Sequence, residues 1–179
     1  DISKRVFDIV ARDVPAYEIY SIDEAFLDFS GIKDPYNYAV HLRDKVRRWT
    51  GVPISIGISY TKTLSKVAGH IAKKSDDGVS YLKEKSEISD ILGKLPLDEI
   101  WGVGVRYAMK LKKYSIHTAS DLLELDGGKM VNRPAPVYEL DIGLKFPNED
   151  RGVLGMFHFI PGWQRHIRIE VNALPSAFD

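Results

Sequence analysis

Residues 17 to 31 read Tyr17-Glu18-Ile19-Tyr20-Ser21-Ile22-Asp23-Glu24-Ala25-Phe26-Leu27-Asp28-Phe29-Ser30-Gly31. Apolar residues crowd both sides of an adjacent acid pair, Asp23-Glu24. The left arm alternates, and the right arm, Ala25 to Phe29, is apolar except for Asp28. Two short β-prone runs around a polar dipeptide predict a β-hairpin. Two adjacent carboxylates at its tip repel each other unless a cation sits between them. Mg²⁺ accepts carboxylate oxygen, and takes one or two such groups together with substrate phosphates. Taken alone, however, an acidic pair at a hairpin tip is a solvated turn.

Working outward, Ile2, Val6 and Ile9-Val10 fall at helical spacing, so residues 1 to 11 read as the end of a helix. Pro15 disfavours α conformation at Val14 and stops it. On the other side Gly31 to Pro35 is a loop, and a helix is expected from Tyr36 to Trp49 along Ala39, Leu42, Val46 and Trp49. Gly51 ends it. Ile54, Ile56 and Ile58 alternate strictly, which predicts a strand with one buried face. From Thr61 to Lys74 the apolar positions Leu64, Val67, Ala68 and Ile71 form a helical stripe. At about 100° per residue, Lys62, Lys66 and Lys73 project together from the opposite side as a basic face. Val79 to Lys83 reads as a short strand and Ser86 to Lys94 as a short helix. Strands before and between helices predict an α+β layer structure with helices on one face.

Leu95-Pro96-Leu97-Asp98 opens a different region. Gly102 and Gly104 sit two apart in a hydrophobic turn, a helix follows over Arg106 to Lys113, and Thr118 or Ser120 caps a last short helix. Beyond Asp126-Gly127-Gly128 the pattern weakens. Asn132-Arg133-Pro134-Ala135-Pro136 reads as a linker, and Val137 to Leu144 and His166 to Val171 as strands. Met156 to Trp163 is apolar with Gly and Pro at its edges.

The chain has 179 residues, of which 44% are apolar and 28% charged, values of a globular protein. Lys+Arg and Asp+Glu are both 25, so no global charge points to nucleic acid; a local basic face suffices for that. There is no cysteine, which excludes disulfides and thiolate metal sites. The five histidines show no metal-ligand spacing. No segment approaches the apolar run that spans a bilayer, and Asp1-Ile2-Ser3-Lys4-Arg5-Val6 is not a signal peptide. The sequence enters in mid-pattern without an initiator Met and reads as a fragment.

Ser21-Ile22-Asp23-Glu24-Ala25-Phe26-Leu27-Asp28 resembles the S-x-D-E-A-[FY]-L-D signature of Y-family, UmuC-like translesion DNA polymerases. The resemblance runs in order from residue 1 to about 125, strongest over Tyr20–Ser30, Gly51–Lys74 and Leu95–Leu125. It implies a ferredoxin-like palm portion over 1–94, an antiparallel sheet with helices. It further implies the start of a helix-hairpin-helix-like thumb over 95–128, and leaves 129–179 as an unassigned tail.

The implied chemistry is template-directed DNA synthesis past lesions, as in SOS-type damage tolerance, by nucleotidyl transfer with two Mg²⁺ ions. Asp23 then bridges both metals and Glu24 positions the primer-end metal. Lys73, in Ala72-Lys73-Lys74, matches the lysine that reaches the incoming dNTP, where a cation neutralises the leaving pyrophosphate. Lys62 and Lys66 fall on the same basic face and are read with it as DNA contacts. Gly102 and Gly104 let the backbone approach a DNA phosphate, with Arg106 and Lys110 adding nonspecific charge. The implied partners are primer-template DNA and dNTP, with a sliding clamp and accessory subunits, in the bacterial cytoplasm or nucleoid and with no membrane role. The family's third carboxylate lies in a D-x-[DN]-x-F-[FY]-A-S stretch that these residues do not contain. The chain alone is therefore expected not to extend a primer but to bind DNA weakly. Two readings compete: a catalytically dead truncated DNA-binding protein, and an unrelated ferredoxin-like module.

Overall fold

Pro15 and the acidic bend decide where the first elements stop. Helix α1 (Ile2–Asp13) turns Val6, Phe7, Ile9 and Val10 inward and ends before Pro15. Strands β1 (Tyr17–Ile19) and β2 (Glu24–Asp28) then pair antiparallel, with Tyr17 opposite Leu27, Glu18 opposite Phe26 and Ile19 opposite Ala25. This is the hairpin expected from the sequence. The structure, a computed structural model, describes residues 2–123, 154–159 and 167–170.

Helix α2 (Pro35–Thr50) is bounded by local chemistry at both ends. Asp34 accepts a 3.1 Å hydrogen bond from the Asn37 N–H, Pro35 supplies the preset φ of a first turn, and Gly51 takes φ 77° as its amide donates to the Arg47 carbonyl. Strand β3 (Ile54–Ser59), helix α3 (Lys62–Ala72) and strand β4 (Val79–Tyr81) follow. Thr61 caps α3 through the Leu64 N–H.

The sheet runs in the order β1-β2-β5-β3-β4, where β5 is Leu154–Phe159, and β6 (Ile167–Glu170) pairs with β5. Strand β5 is antiparallel to both β2 and β3, whereas β3 and β4 are parallel, so the sheet is mixed rather than purely antiparallel. The apolar run near Met156 and the expected strand near His166 correspond to β5 and β6. The expected linker at 132–136 and strand at 137–144 lie outside the described residues.

One expectation fails instructively. Strand β3 does not have one buried face: all six of its residues are buried. The face of Ile54, Ile56 and Ile58 is apolar, as read. The other face carries Ser55, Gly57 and Ser59, small enough for a helix backbone to come down on it. A Cβ at Gly57 would stand 2.0 Å from the Gly69 nitrogen and 2.5 Å from the Ser65 carbonyl oxygen of α3. Helix α3 therefore packs on the face opposite the isoleucines. Helices do not sit on one side alone, because α2 packs on β3 and β4, and α1 on α2. Phe26, Leu27, Phe29, Ile56, Ile58 and Leu64 are almost fully buried, each adding about 1.5–3 kcal/mol by leaving water.

Among the described residues, 2–82 with 154–159 and 167–170 form one compact unit, and 83–123 another. In the second, α4 (Lys85–Leu92), a 3-10 turn at Leu97–Glu99, α5 (Val105–Lys112) and α6 (Ala119–Leu123) bury Ile88, Leu92, Leu97, Ile100, Val103, Ala108, Leu111 and Ile116. Asp121 accepts from the His117 and Thr118 amides while Thr118 Oγ1 accepts from the Asp121 N–H, so Thr118 is the cap. Those amides hold the Asp121 carboxyl below the ordinary aspartate range.

Candidate active site

The bend between β1 and β2 closes tightly. The Tyr20 and Ser21 amides both donate to the Glu24 carbonyl, at 2.7 and 2.9 Å. Ser21 Oγ donates to Asp23 Oδ1 at 2.5 Å and accepts from the Asp23 N–H at 3.2 Å. From the next element, Ser3 Oγ of α1 donates to the Ile22 carbonyl. Asp23 is thus set in the bend, partly exposed and oriented by Ser21, while Glu24 opens strand β2. Ser21 and Ser3 are positioning groups that the acid pair alone does not reveal. The signal for Ser21 is its place two residues before an Asp, where a hydroxyl and a carboxylate close a small turn.

The two acids are not equally open. A solvated turn would leave both accessible, but Glu24 is only 8% exposed. Its Oε2 stands 3.4 Å from Lys66 Nζ, and Lys66 is itself 8% exposed. The Lys66 ammonium also lies 4.5 Å from the Tyr20 ring centroid. One turn earlier, Lys62 Nζ lies 2.9 Å from Glu18 and 4.2 Å from the Phe26 ring centroid. Tyr20 and Phe26 meet edge to face at 5.8 Å.

The ammoniums of Lys62 and Lys66, expected on an open DNA-contacting face, lie instead against the hairpin. The wheel placed them correctly opposite the core stripe, but the hairpin covers that side of α3. Lys73 lies about two turns beyond Lys66, at the C-terminal cap of α3, partly exposed, its amide donating to the Gly69 carbonyl at 3.1 Å. Structure thus brings Asp23, Glu24, Lys62 and Lys66 together and sets Lys73 at the far end of the same helix.

Hard oxygen donors at Asp23 and Glu24 suit a small divalent cation. Among the described residues, no group of three His, Cys, Asp or Glu side chains forms a fuller ligand set. In the second unit, Gly102 takes φ 84°, and a Cβ on Gly102 or Gly104 would meet open space. Gly104 caps α5, and Arg106, Lys110, Lys112 and Lys113 are exposed along or just past that helix. No described helix is long and apolar enough to cross a membrane.

Residues 1–70 match the impB/mucB/samB family. Over 130 residues the chain is 40% identical to the UmuC protein of Salmonella typhimurium, covering 69% of this chain and 31% of that one. Over 129 residues it is 34% identical to DNA polymerase IV of Moorella thermoacetica, covering 68% of this chain and 31% of the relative. Its fold is similar to an insertion ternary complex of Dbh DNA polymerase, with TM-score 0.60 and 23% identity over 72% of this chain and 38% of that one. The fold of the described residues is thus of the kind seen in that structure. The impB/mucB/samB match lies in the first 70 residues, and the chain spans about a third of the length of the curated relatives it matches.

Proposed function

We propose that these residues form part of the palm (1–94) and the start of the thumb (95–128) of a translesion DNA polymerase. The observation that carries this is the placement of Asp23-Glu24 at the bend of a β-hairpin, inside a stretch similar to UmuC over 130 residues. The reaction is template-directed synthesis across damaged DNA. A primer 3′ oxygen attacks the α-phosphate of a dNTP, a new O–P bond forms, and the bond to pyrophosphate breaks.

Two Mg²⁺ ions, when bound, stabilise the attacking and leaving oxygens. Asp23 and Glu24 are the residues of this chain that would hold them, with Ser21 orienting Asp23 through its hydroxyl. Lys73 offers its ammonium to the triphosphate, where it offsets charge on the departing pyrophosphate. The exposed α5 side chains Arg106 and Lys110 attract the DNA backbone, and Gly102 and Gly104 leave room for a phosphate beside the N-terminus of α5. These contacts carry no base readout, in keeping with an enzyme that must accept any template. Lys62 and Lys66 are not part of that set, since their ammoniums face the hairpin.

The test is primer extension by a full-length UmuC-like protein carrying these residues. Asp23→Ala or Glu24→Ala should reduce extension by at least about a hundredfold while leaving DNA affinity nearly unchanged, because binding rests on phosphate contacts elsewhere. Extension near the unmodified rate by either variant would overturn the assignment.

A further inference from the structure

The Glu24–Lys66 pair sits awkwardly for a metal ligand. A carboxylate meant for a divalent cation already has an ammonium 3.4 Å away, and the two side chains are only 11% and 8% exposed. Neither is a chance surface contact. The Lys66 ammonium is also held at 4.5 Å by the Tyr20 ring, from the same hairpin. Its partner helix is fixed in depth, because α3 rests backbone-to-backbone on Gly57. The spacing matches as well. Lys62 and Lys66 are four residues apart, a rise of about 6 Å along a helix. Phe26 and Glu24 are two residues apart on β2, about 6.8 Å. Lys62 seats at Phe26 and Glu18, and Lys66 at Glu24 and Tyr20.

We propose that Lys66 is a positioning residue that acts as a built-in counterion for Glu24. Its ammonium compensates the carboxylate in the absence of a divalent cation and competes with that cation for it. This rests on the reading of Asp23 and Glu24 as the divalent site. A buried carboxylate cannot stand uncompensated at low cost, so in a hairpin poised to take up metal the lysine holds the fold together beforehand. When a cation arrives beside Asp23, Glu24 exchanges an ammonium for it, and each ion weakens the hold of the other. Removing the lysine charge should therefore strengthen cation binding, the reverse of what loss of a merely structural residue would do.

The experiment is Mn²⁺ titration of the 179-residue chain, following free Mn²⁺ by electron paramagnetic resonance, with circular dichroism confirming the fold of each variant. Lys66→Met should bind Mn²⁺ about tenfold more tightly than the unmodified chain, since one repulsive charge at close range is gone. Lys66→Arg should return affinity to within about twofold, because it restores the charge. Should Lys66→Met not fold, Lys66→Gln carries the same test, keeping a hydrogen-bonding head without charge. Asp23→Asn and Glu24→Gln separate the two ideas. If neither weakens Mn²⁺ binding, the carboxylate-pair reading fails and the counterion role with it. If both weaken it but Lys66→Met or Lys66→Gln leaves affinity unchanged or lower, the counterion role alone is overturned.

Discussion

Helices α3 and α5 look alike on paper and behave differently in space. Each carries basic residues at i and i+4, Lys62 and Lys66 on one and Arg106 and Lys110 on the other, opposite an apolar stripe. On α5 the basic side chains are exposed. On α3 they are drawn down onto a hairpin, one seated at Glu18 and Phe26 and the other at Glu24 and Tyr20. The helices themselves do not set this difference. It comes from the hairpin opposite, with Glu18 on β1 and Glu24 on β2, and from a glycine that lets the helix come close enough to use them. A basic helical face is a statement about what lies opposite it.

The closeness of α3 is where the comparison breaks most sharply. Gly57→Ala sets a methyl 2.0 Å from a backbone nitrogen that has no flexible end to move aside. The expected loss is about 3 kcal/mol or more, measured by urea unfolding. Gly104→Ala, where a Cβ meets open space, should change stability by no more than about 0.5 kcal/mol. A mild Gly57→Ala would mean that α3 does not rest on β3 as described.

Next in size is the charge itself. Lys66→Met leaves Glu24 buried beside a methyl group and should cost about 3 kcal/mol in metal-free buffer. Lys110→Met, on an exposed face, should stay within about 0.5 kcal/mol. Equal losses would erase the distinction between the two helices.

Binding to DNA should reverse the ranking. Lys110→Ala should lower the slope of log affinity against log salt by about 0.7–0.9, the share of one phosphate contact. Lys62→Ala should leave that slope unchanged, because its ammonium already faces Glu18. Fluorescence anisotropy with a primer-template over a series of salt concentrations reads both, and a matching drop for Lys62→Ala would return α3 to the DNA-facing set.

The smallest expected effect lies at the acid limb. Tyr36 donates a hydrogen bond to Asp77, tying the start of α2 to the turn before β4 and holding the Asp77 carboxyl below its ordinary value. A carboxyl depressed in the folded state stabilises at pH values above its unfolded pKa, and that contribution fades as pH falls through the folded pKa. The melting temperature of Asp77→Asn should lie a few degrees below the unmodified chain at pH 6, and the gap should close below about pH 4. A gap of constant size from pH 6 to pH 2.5 would show that the charge contributes nothing.

Much of the fold was legible because it rests on local rules. The hairpin around Asp23-Glu24, the helix stop at Gly51 and the Thr118 cap each follow from a few adjacent residues, whereas the Asp34 cap that starts α2 at Pro35 does not appear in that reading. Facts that depend on what a distant element brings were not legible. Nothing in Ile54 to Ser59 says that a helix backbone will lie on its glycine, so the pattern of β3 shows only one of its two buried faces. The position of β5 between β2 and β3 joins residues more than ninety apart in sequence, and no local pattern encodes it. For the site, the acid pair and Lys73 stand out by motif, whereas the seat of Lys66 at Glu24 does not, because the wheel shows direction but not what lies there.

The central claim is that Asp23 and Glu24 form a divalent site whose second carboxylate is held by Lys66 until metal binds. Anomalous diffraction from crystals of the chain, grown with and without Mn²⁺, tests it most directly. The account predicts a manganese peak against the carboxylate oxygens of Asp23 and Glu24, with the Lys66 ammonium farther from Glu24 than the 3.4 Å of the metal-free pair. No peak at the hairpin bend, with Glu24 still seated on Lys66 at saturating Mn²⁺, would contradict it.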